Sequence, residues 1–284
     1  MSKVDLHIHS TASDGRYRPQ EIVRKAAELG LEVIALADHD SIDGIAPALE
    51  EARKLNHIQF IPAVEVSTDV PSGEVHILGY FIDYTGKEFT AALEQFRHSR
   101  ERRAQGMVAK LADLDIHISW ERVQEIAGSG SVGRPHIARA MLEKGYISSI
   151  KEAFDKYIAR DGPAYVEREK MTPAEAVRLI VRNRGIAVMA HPFTVPEPEA
   201  MIAELKAAGM AGIEAYYNGY GSEDIGTLIA LARNHGLIVT GGSDYHGLDE
   251  SRETLMGGVE VPMAAVSRLI AQAEPKMIKL AYLK

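Results

Sequence analysis

The chain has no cysteine, one tryptophan and only 6% aromatic residues among its 284 positions. Without thiols there is neither a disulfide framework nor a thiolate zinc site, so any metal must rest on histidine and carboxylate. No apolar run is long enough to span a bilayer, and the N-terminus runs straight into a strand pattern without a signal-peptide profile. A cytoplasmic protein with no membrane association and no obligatory protein partner is therefore expected. Positive charge is in deficit: 32 Lys and Arg stand against 40 Asp and Glu, a net −8. That argues against bulk electrostatic binding of nucleic acid, while leaving room for a local basic patch. Internal repeats and low-complexity segments are missing too.

What is present is an alternation of apolar runs and helical patterns, 46% hydrophobic overall, enough for one large α/β domain with an insertion. The run Asp5-Leu6-His7-Ile8-His9-Ser10 opens it. On an extended strand alternate side chains share a face, so His7 and His9 point the same way. A helix from Pro19 is stopped by Gly30, and the buried run Val33 to Ala37 ends in Asp38-His39-Asp40. After a helix near 45–54 come Phe60 to Val66, containing Glu65, and Val75 to Phe81, containing His76. Joined by a turn at Pro71-Ser72-Gly73, these two strands read as a hairpin that returns His76 beside Glu65, and Pro62 hints at an edge or a strand start. Strands resume at Ile186 to Ala190, ending in His191-Pro192, then at Gly212 to Tyr217 and Leu237 to Gly242, the last leading into Ser243-Asp244-Tyr245-His246. Thr172-Pro173-Ala174-Glu175 has capping-box spacing for the helix before them.

Six of the seven strands carry or adjoin a potential ligand: His7, His9, Asp14, His39, Glu65, His76, His191, Asp244 and His246. In a βα barrel the loops at the strand ends converge on one mouth, and core histidines have no reason to collect there. Nine donors exceed one tetrahedral ion and suit two or three divalent ions, with Glu65 bridging; Mn, Fe, Zn or Co would be accepted. Several cations with three anionic ligands leave the site positive, which suits a phosphorylated substrate. Asp38 and Asp40 are expected behind the ligands, orienting His39 or another ligand.

From 89 to 165 the pattern is helical throughout, giving an expected division into a barrel, 1–88 with 166–284, and a helical insertion over the active site. Gly128 to Gly133 fits Gly-x-Gly-x-x-Gly but follows no strand, so it fails as a dinucleotide site. Glycine-rich backbone before Pro135 is instead read as an anion cradle, with Arg134 and His136 closing on a phosphate. Arg97, Arg100 and Arg103 recur on one helical face, as a solvated surface or as a basic wall opposite the mouth. Trp120 is assigned to packing, and His57, His98, His117 and His235 to the surface.

The segments His7-Ile8-His9-Ser10, Asp38-His39-Asp40, Glu65, His76, Ala190-His191-Pro192 and Ser243-Asp244-Tyr245-His246 resemble the motif set of the PHP (polymerase and histidinol phosphatase) family. Gly133-Arg134-Pro135-His136 is similar to its nucleotide-phosphatase branch. The resemblance implies a distorted (β/α)7 TIM-like barrel and a trinuclear site: His7, His9, Glu65 and Asp244 on one ion, Asp14, His39 and His246 on a second, Glu65, His76 and His191 on the third. Ions so placed would hold a hydroxide between two of them for attack on phosphorus, with Glu65, Asp38 and His191 expected in the catalytic set; Arg134 and His136, and Arg97 and Arg100 from the basic wall, are expected on the substrate. The expected substrate is a nucleoside monophosphate or 3′,5′-bisphosphate. The alternatives are a 5′→3′ exonuclease on short RNA or DNA and a non-catalytic phosphate-binding module. An amidohydrolase would want a metal-bridging Lys at a strand end, which is missing.

Overall fold

A computed structural model describes residues 2–55, 57–70, 73–128, 130–167, 171–248 and 255–283. Seven strands follow one another around the sheet in chain order: β1 (Val4–Ile8), β2 (Val33–Leu36), β3 (Gln59–Val70), β4 (Gly73–Tyr80), β5 (Ile186–Met189), β6 (Gly212–Tyr217) and β7 (Ile238–Gly242). Between them lie α1 (Pro19–Glu28), α2 (Ile45–Lys54), α3 (Lys87–Ala112), α4 (Trp120–Ala127), α5 (Arg134–Glu143), α6 (Ile150–Ala153), α7 (Pro173–Arg182), α8 (Pro198–Ala207) and α9 (Ser222–Asn234). The last strand returns to the first through a parallel bridge between Ile8 and Tyr245. His9 N donates to Tyr245 O and Asp244 N to His7 O, both at 2.9 Å. Gly242 permits this closure, because a Cβ there would stand 2.4 Å from the His7 backbone nitrogen. The result is a nearly closed, distorted TIM-like barrel of the α/β class.

One strand breaks the parallel order. All neighbouring strands run parallel except β4, which is antiparallel to both β3 and β5. Its start, not its end, therefore faces the mouth, and His76 sits in its first half. The hairpin register pairs Ser67 with His76 and Glu65 with Leu78, so Glu65 and His76 are diagonal neighbours on one face. The turn residues Pro71 and Ser72 lie outside the described residues. Pro62 corrects an expectation: β3 is an interior strand. Pro62 O accepts from Phe81 N at 2.9 Å, so its missing donor would face β4 just beyond that strand's end at Tyr80, and no rung of β4 is lost.

Apolar residues line both sides of the sheet. Leu6, Val33, Ala35, Ala63, Leu78 and Val188 pack with α10 (Met263–Gln272), while Ile8, Ile34, Leu36, Phe60 and Ile77 face the outer helices. Thr172 caps α7 as its spacing predicts: its Oγ1 accepts from Glu175 N, and its own N donates to Glu175 Oε2. The helices α3 to α6 share a separate cluster around Met107, Leu111, Val123, Ile137 and Met141, with Trp120 packed against it. α6 runs on into a π-helical turn, Phe154–Ile158. No helix among the described residues is long and apolar enough to cross a membrane.

Candidate metal centre

The strand ends bring every sequence-predicted ligand into one buried cluster. Glu65 is its hub. Oε2 lies 3.3 Å from His7 Nε2, 3.3 Å from His9 Nε2 and 3.0 Å from His39 Nδ1. Oε1 lies 2.9 Å from His76 Nδ1 and 3.2 Å from His191 Nε2. Asp244 Oδ1 stands 3.0 Å from His9 Nε2, and Asp14 Oδ1 stands 3.4 Å from His246 Nε2. Three sets have donor atoms within 4.8 Å of one another: His7, His9, Glu65 and Asp244; His9, Asp14, His39 and His246; and His39, Glu65 and His76. His7 and His9 are 0% exposed and Glu65 1%. Yet His7 Nε2, both His9 ring nitrogens, Asp14 Oδ1 and Glu65 Oε2 make no hydrogen bond. Buried polar atoms left in this state are costly, and five in one cluster fit donors shaped for cations.

Asp40 (φ 48°), His191 (φ 29°) and Asp244 (φ 55°), in or beside the cluster, have left-handed backbone. For a histidine this is strained, and at His191 the strain is held by Glu214, whose Oε2 accepts from His191 N at 2.9 Å.

Electrostatics within the cluster are dominated by burial and by the imidazole–carboxylate pairs. Burial favours neutral acids, but neighbouring charge overrides it: Asp244 is held well below the usual carboxylate range beside His7 and His9, and Asp14 likewise beside His246. Burial lowers His9, yet Asp244 and Glu65 outweigh it and raise that ring to about 10. Not every ring can hold a proton in so small a volume. Burial pushes His39 down to about 4 despite Glu65 and Asp14. Glu65 is also held well below its ordinary value against burial by His39, His76 and His7; the His39 share counts only in acid, where that ring is charged.

Behind the ligands lies a layer of buried acids. Glu214, on β6, takes His7 Nδ1 at 3.0 Å, so a neutral His7 with its proton there turns the Nε2 lone pair into the cluster. Asp5 accepts from the backbone of His7, Ser243 and Gly257 and from Ser243 Oγ, tying β1 to the Asp244 loop. Neither was singled out from the sequence, although a lone acid between apolar strand residues was an available signal. Asp38 is taken up by Ser10 N, Ser10 Oγ and Ser13 Oγ at 2.6–2.8 Å, so it fixes the Asp14 loop and not His39. Asp40 accepts from Ser67 N and Arg100 Nε, and His39 Nδ1 meets Ser67 Oγ at 3.3 Å. Tyr217 donates to Asp244 Oδ2 at 2.8 Å.

Beside the cluster a pocket of about 160 Å³ is lined by Asp14, His39, His76 and His246 on the barrel side and Arg100, Arg103 and Arg134 on the helical side. Arg100 and Arg103 are buried, the first paired with Asp40 at 2.6 Å. Arg134 pairs with Glu74 at 2.5 Å and lies over the Phe154 ring. Glu74, on β4, was not foreseen. Arg97 stands apart, bound to Asp43 and Ser41 and not lining the pocket. His136 is turned away as well. It is 1% exposed, and its Nδ1 accepts from Gly133 N, using an amide that the cradle reading offered to an anion. Gly130 serves packing, since a Cβ there would stand 2.4 Å from Thr11 O, whereas Gly128 takes a left-handed φ of 62° with open space around it. Ser129 lies outside the described residues. His57, His98 and His117 are exposed and His235 half-buried.

Comparison with known proteins agrees with this geometry. Residues 5–169 match the PHP domain family. The chain is 35% identical to the 5′-3′ exoribonuclease Rnm of Escherichia coli, over 85% of this chain and 84% of that one. It is 32% identical to a 3′,5′-nucleoside bisphosphate phosphatase of Chromobacterium violaceum, over 88% and 89%. A crystal structure from Bifidobacterium adolescentis, described as a metal-dependent phosphoesterase, superposes with a TM-score of 0.87 at 26% identity, covering 95% of this chain and 96% of that one. With its donors gathered at one barrel mouth, the chain belongs to the PHP domain family and is a phosphoric ester hydrolase.

Proposed function

We propose that the protein removes a phosphate from a small nucleotide, a nucleoside monophosphate or 3′,5′-bisphosphate, using two or three divalent ions. The observation that carries this reading is the adjacency of two features: a buried donor cluster with unsatisfied atoms, and a pocket walled by three guanidinium groups. His7, His9, Glu65 and Asp244 would hold one ion, Asp14, His39 and His246 a second, and Glu65, His76 and His191 a third. Such ions lower the pKa of water and offset charge on the phosphoryl oxygens.

The chain's own residues do the rest. Glu214 keeps His7 in one tautomer and orientation, and Tyr217 fixes the carboxylate plane of Asp244. Asp38 holds Ser10 and Ser13, the two serines that lead into Asp14. Arg100, Arg103 and Arg134 present donors to phosphate oxygens in a cavity sized for one phosphoryl group. Their charge is already moderated by Asp40 and Glu74, so an incoming phosphate meets oriented donors. Glu65 and His191 act in the catalytic set as ligand donors, and Asp38 as a positioning residue.

The likeness to an exoribonuclease favours one second reading, release of nucleotides from the 5′ end of short RNA. Assays with Mn²⁺ on a nucleoside monophosphate, a 3′,5′-bisphosphonucleotide and a 5′-phosphorylated tetranucleotide separate the two. Highest kcat/KM on the bisphosphate supports the phosphatase. Stepwise shortening of the RNA with little release from mononucleotides supports the exonuclease, and no turnover of any of them overturns both.

A further inference from the structure

The loop Ser10 to Arg18 has two sides, and the metal centre accounts for only one. Asp14 points into the ligand cluster. Its neighbours Ser13 and Gly15 line a second cavity of about 290 Å³ on the other side, closed by Thr11, Gly128, His136 and three arginines, Arg16, Arg18 and Arg139. The wall between the cavities is shared in the helix as well: Arg134 and Pro135 of α5 face the first, His136 and Arg139 the second. We propose that this second cavity is an anion site that takes one phosphoryl group on Arg16, Arg18 and Arg139, distinct from the phosphate pocket at the metal centre.

Charge is the first argument. In a chain of net charge −8, the three guanidinium-bearing side chains of Arg16, Arg18 and Arg139 line one cavity. Guanidinium groups converging on one cavity fit a multivalent oxyanion better than a carboxylate or a neutral ligand. Depth is the second argument. Arg139 is half-buried on α5, whereas Arg16 and Arg18 are exposed on the loop, so the cavity has a fixed back and a reachable rim.

The loop connects this cavity to the metal centre through the backbone. Arg16 N donates to the carbonyl of His246 at 2.8 Å, Gly15 N to Ser10 O at 2.9 Å, and Ser131 N to Ala12 O at 3.1 Å. An anion on Arg16 therefore bears on a segment that carries Asp14 and touches His246. The anion has two sources of the same chemistry, a phosphodiester further along an oligonucleotide or free inorganic phosphate. The site itself does not depend on the reaction proposed above.

The test uses the full chain, stripped of metal by chelation, with inorganic phosphate as the probe in equilibrium binding. Compared are wild type, Arg18→Ala with Arg139→Ala, Arg18→Lys with Arg139→Lys, and Arg134→Ala. The alanine pair should lose a binding event by about tenfold or more in affinity, the scale of a lost charge-assisted contact. The lysine pair should retain part of it, and Arg134→Ala should retain it whole. Superimposable isotherms for wild type and the alanine pair would overturn the proposal, as would loss of the same event in Arg134→Ala. A second arm, with Mn²⁺ restored, distinguishes the sources. If KM rises for a 5′-phosphorylated oligonucleotide and not for a mononucleotide, the anion is a downstream phosphodiester. If both KM values stay unchanged while phosphate binding is lost, it is free phosphate.

Discussion

The barrel end and the helices facing it contribute to the same pocket by opposite routes. On the barrel side, donors come from strand ends held by the sheet, and several of their atoms are left without partners: His7, His9, Asp14 and Glu65. On the helical side, the side chains arrive already paired, Arg100 with Asp40 and Arg134 with Glu74. The first arrangement stores unsatisfied polar groups that a cation relieves. The second keeps its charges partly compensated and needs only a change of partner when an anion enters. Removing a barrel-side group should therefore disable chemistry, whereas removing a helix-side group should weaken binding.

The sharpest attempt to break that contrast is Glu65→Ala, which removes the carboxylate that five histidine rings approach. Turnover should fall by more than the roughly 100-fold typical of partners behind the ligands. Bound metal, counted after dialysis against Mn²⁺, should drop while the circular dichroism spectrum is retained. Next comes Glu214→Gln, which keeps the shape but weakens the hold on His7 and His191. It should cost about 10–100-fold in metal affinity or kcat, measured by titrating activity with Mn²⁺. On the helical side, Arg134→Ala should raise KM about tenfold with kcat changed less. An equal fall in kcat and kcat/KM would erase the contrast.

The pH dependence of the stripped protein sharpens the same point. The folded pKa of His9 is raised to about 10 from 6.5. Its contribution to stability is thus fully present below pH 6.5 and is lost as pH rises through 10. Chelated protein should therefore show a falling Tm between pH 7 and 10, whereas Mn²⁺-loaded protein, whose ligand rings are already deprotonated, should show a shallower fall. The smallest effect belongs to Arg97→Ala. That side chain is a part-exposed ion pair outside the pocket, so kcat/KM should change by no more than about twofold, the scale of an exposed pair.

Most of the candidate donor cluster was legible in the sequence, because a donor at a strand end is a local fact: apolar residues run out and a His or Asp follows, as at Ala37-Asp38-His39 and Ala190-His191-Pro192. The limits of that reading also have physical causes. Asp38 looks like a partner of its sequence neighbour His39, but its oxygens meet serines from β1's loop, which lies beside it only because β1 and β2 pair. His136 and Arg134 look like a pair aimed at one phosphate. Two positions apart on a helix they point to different sides, one into the first cavity and one toward the second.

Periodicity and composition alone determined that this chain builds seven strands interleaved with helices, binds any metal through nitrogen and oxygen, and gathers those donors where strands end. Those properties rest on short-range rules of backbone geometry and ligand chemistry. Only the folded chain decided that β4 also runs against β5, that Glu65 meets five rings, that Glu214 and Asp5 brace the cluster, and that Glu74 answers Arg134. Each of these joins residues far apart along the backbone, and their meeting is set by which strands pair and in what register, information that no local spacing carries.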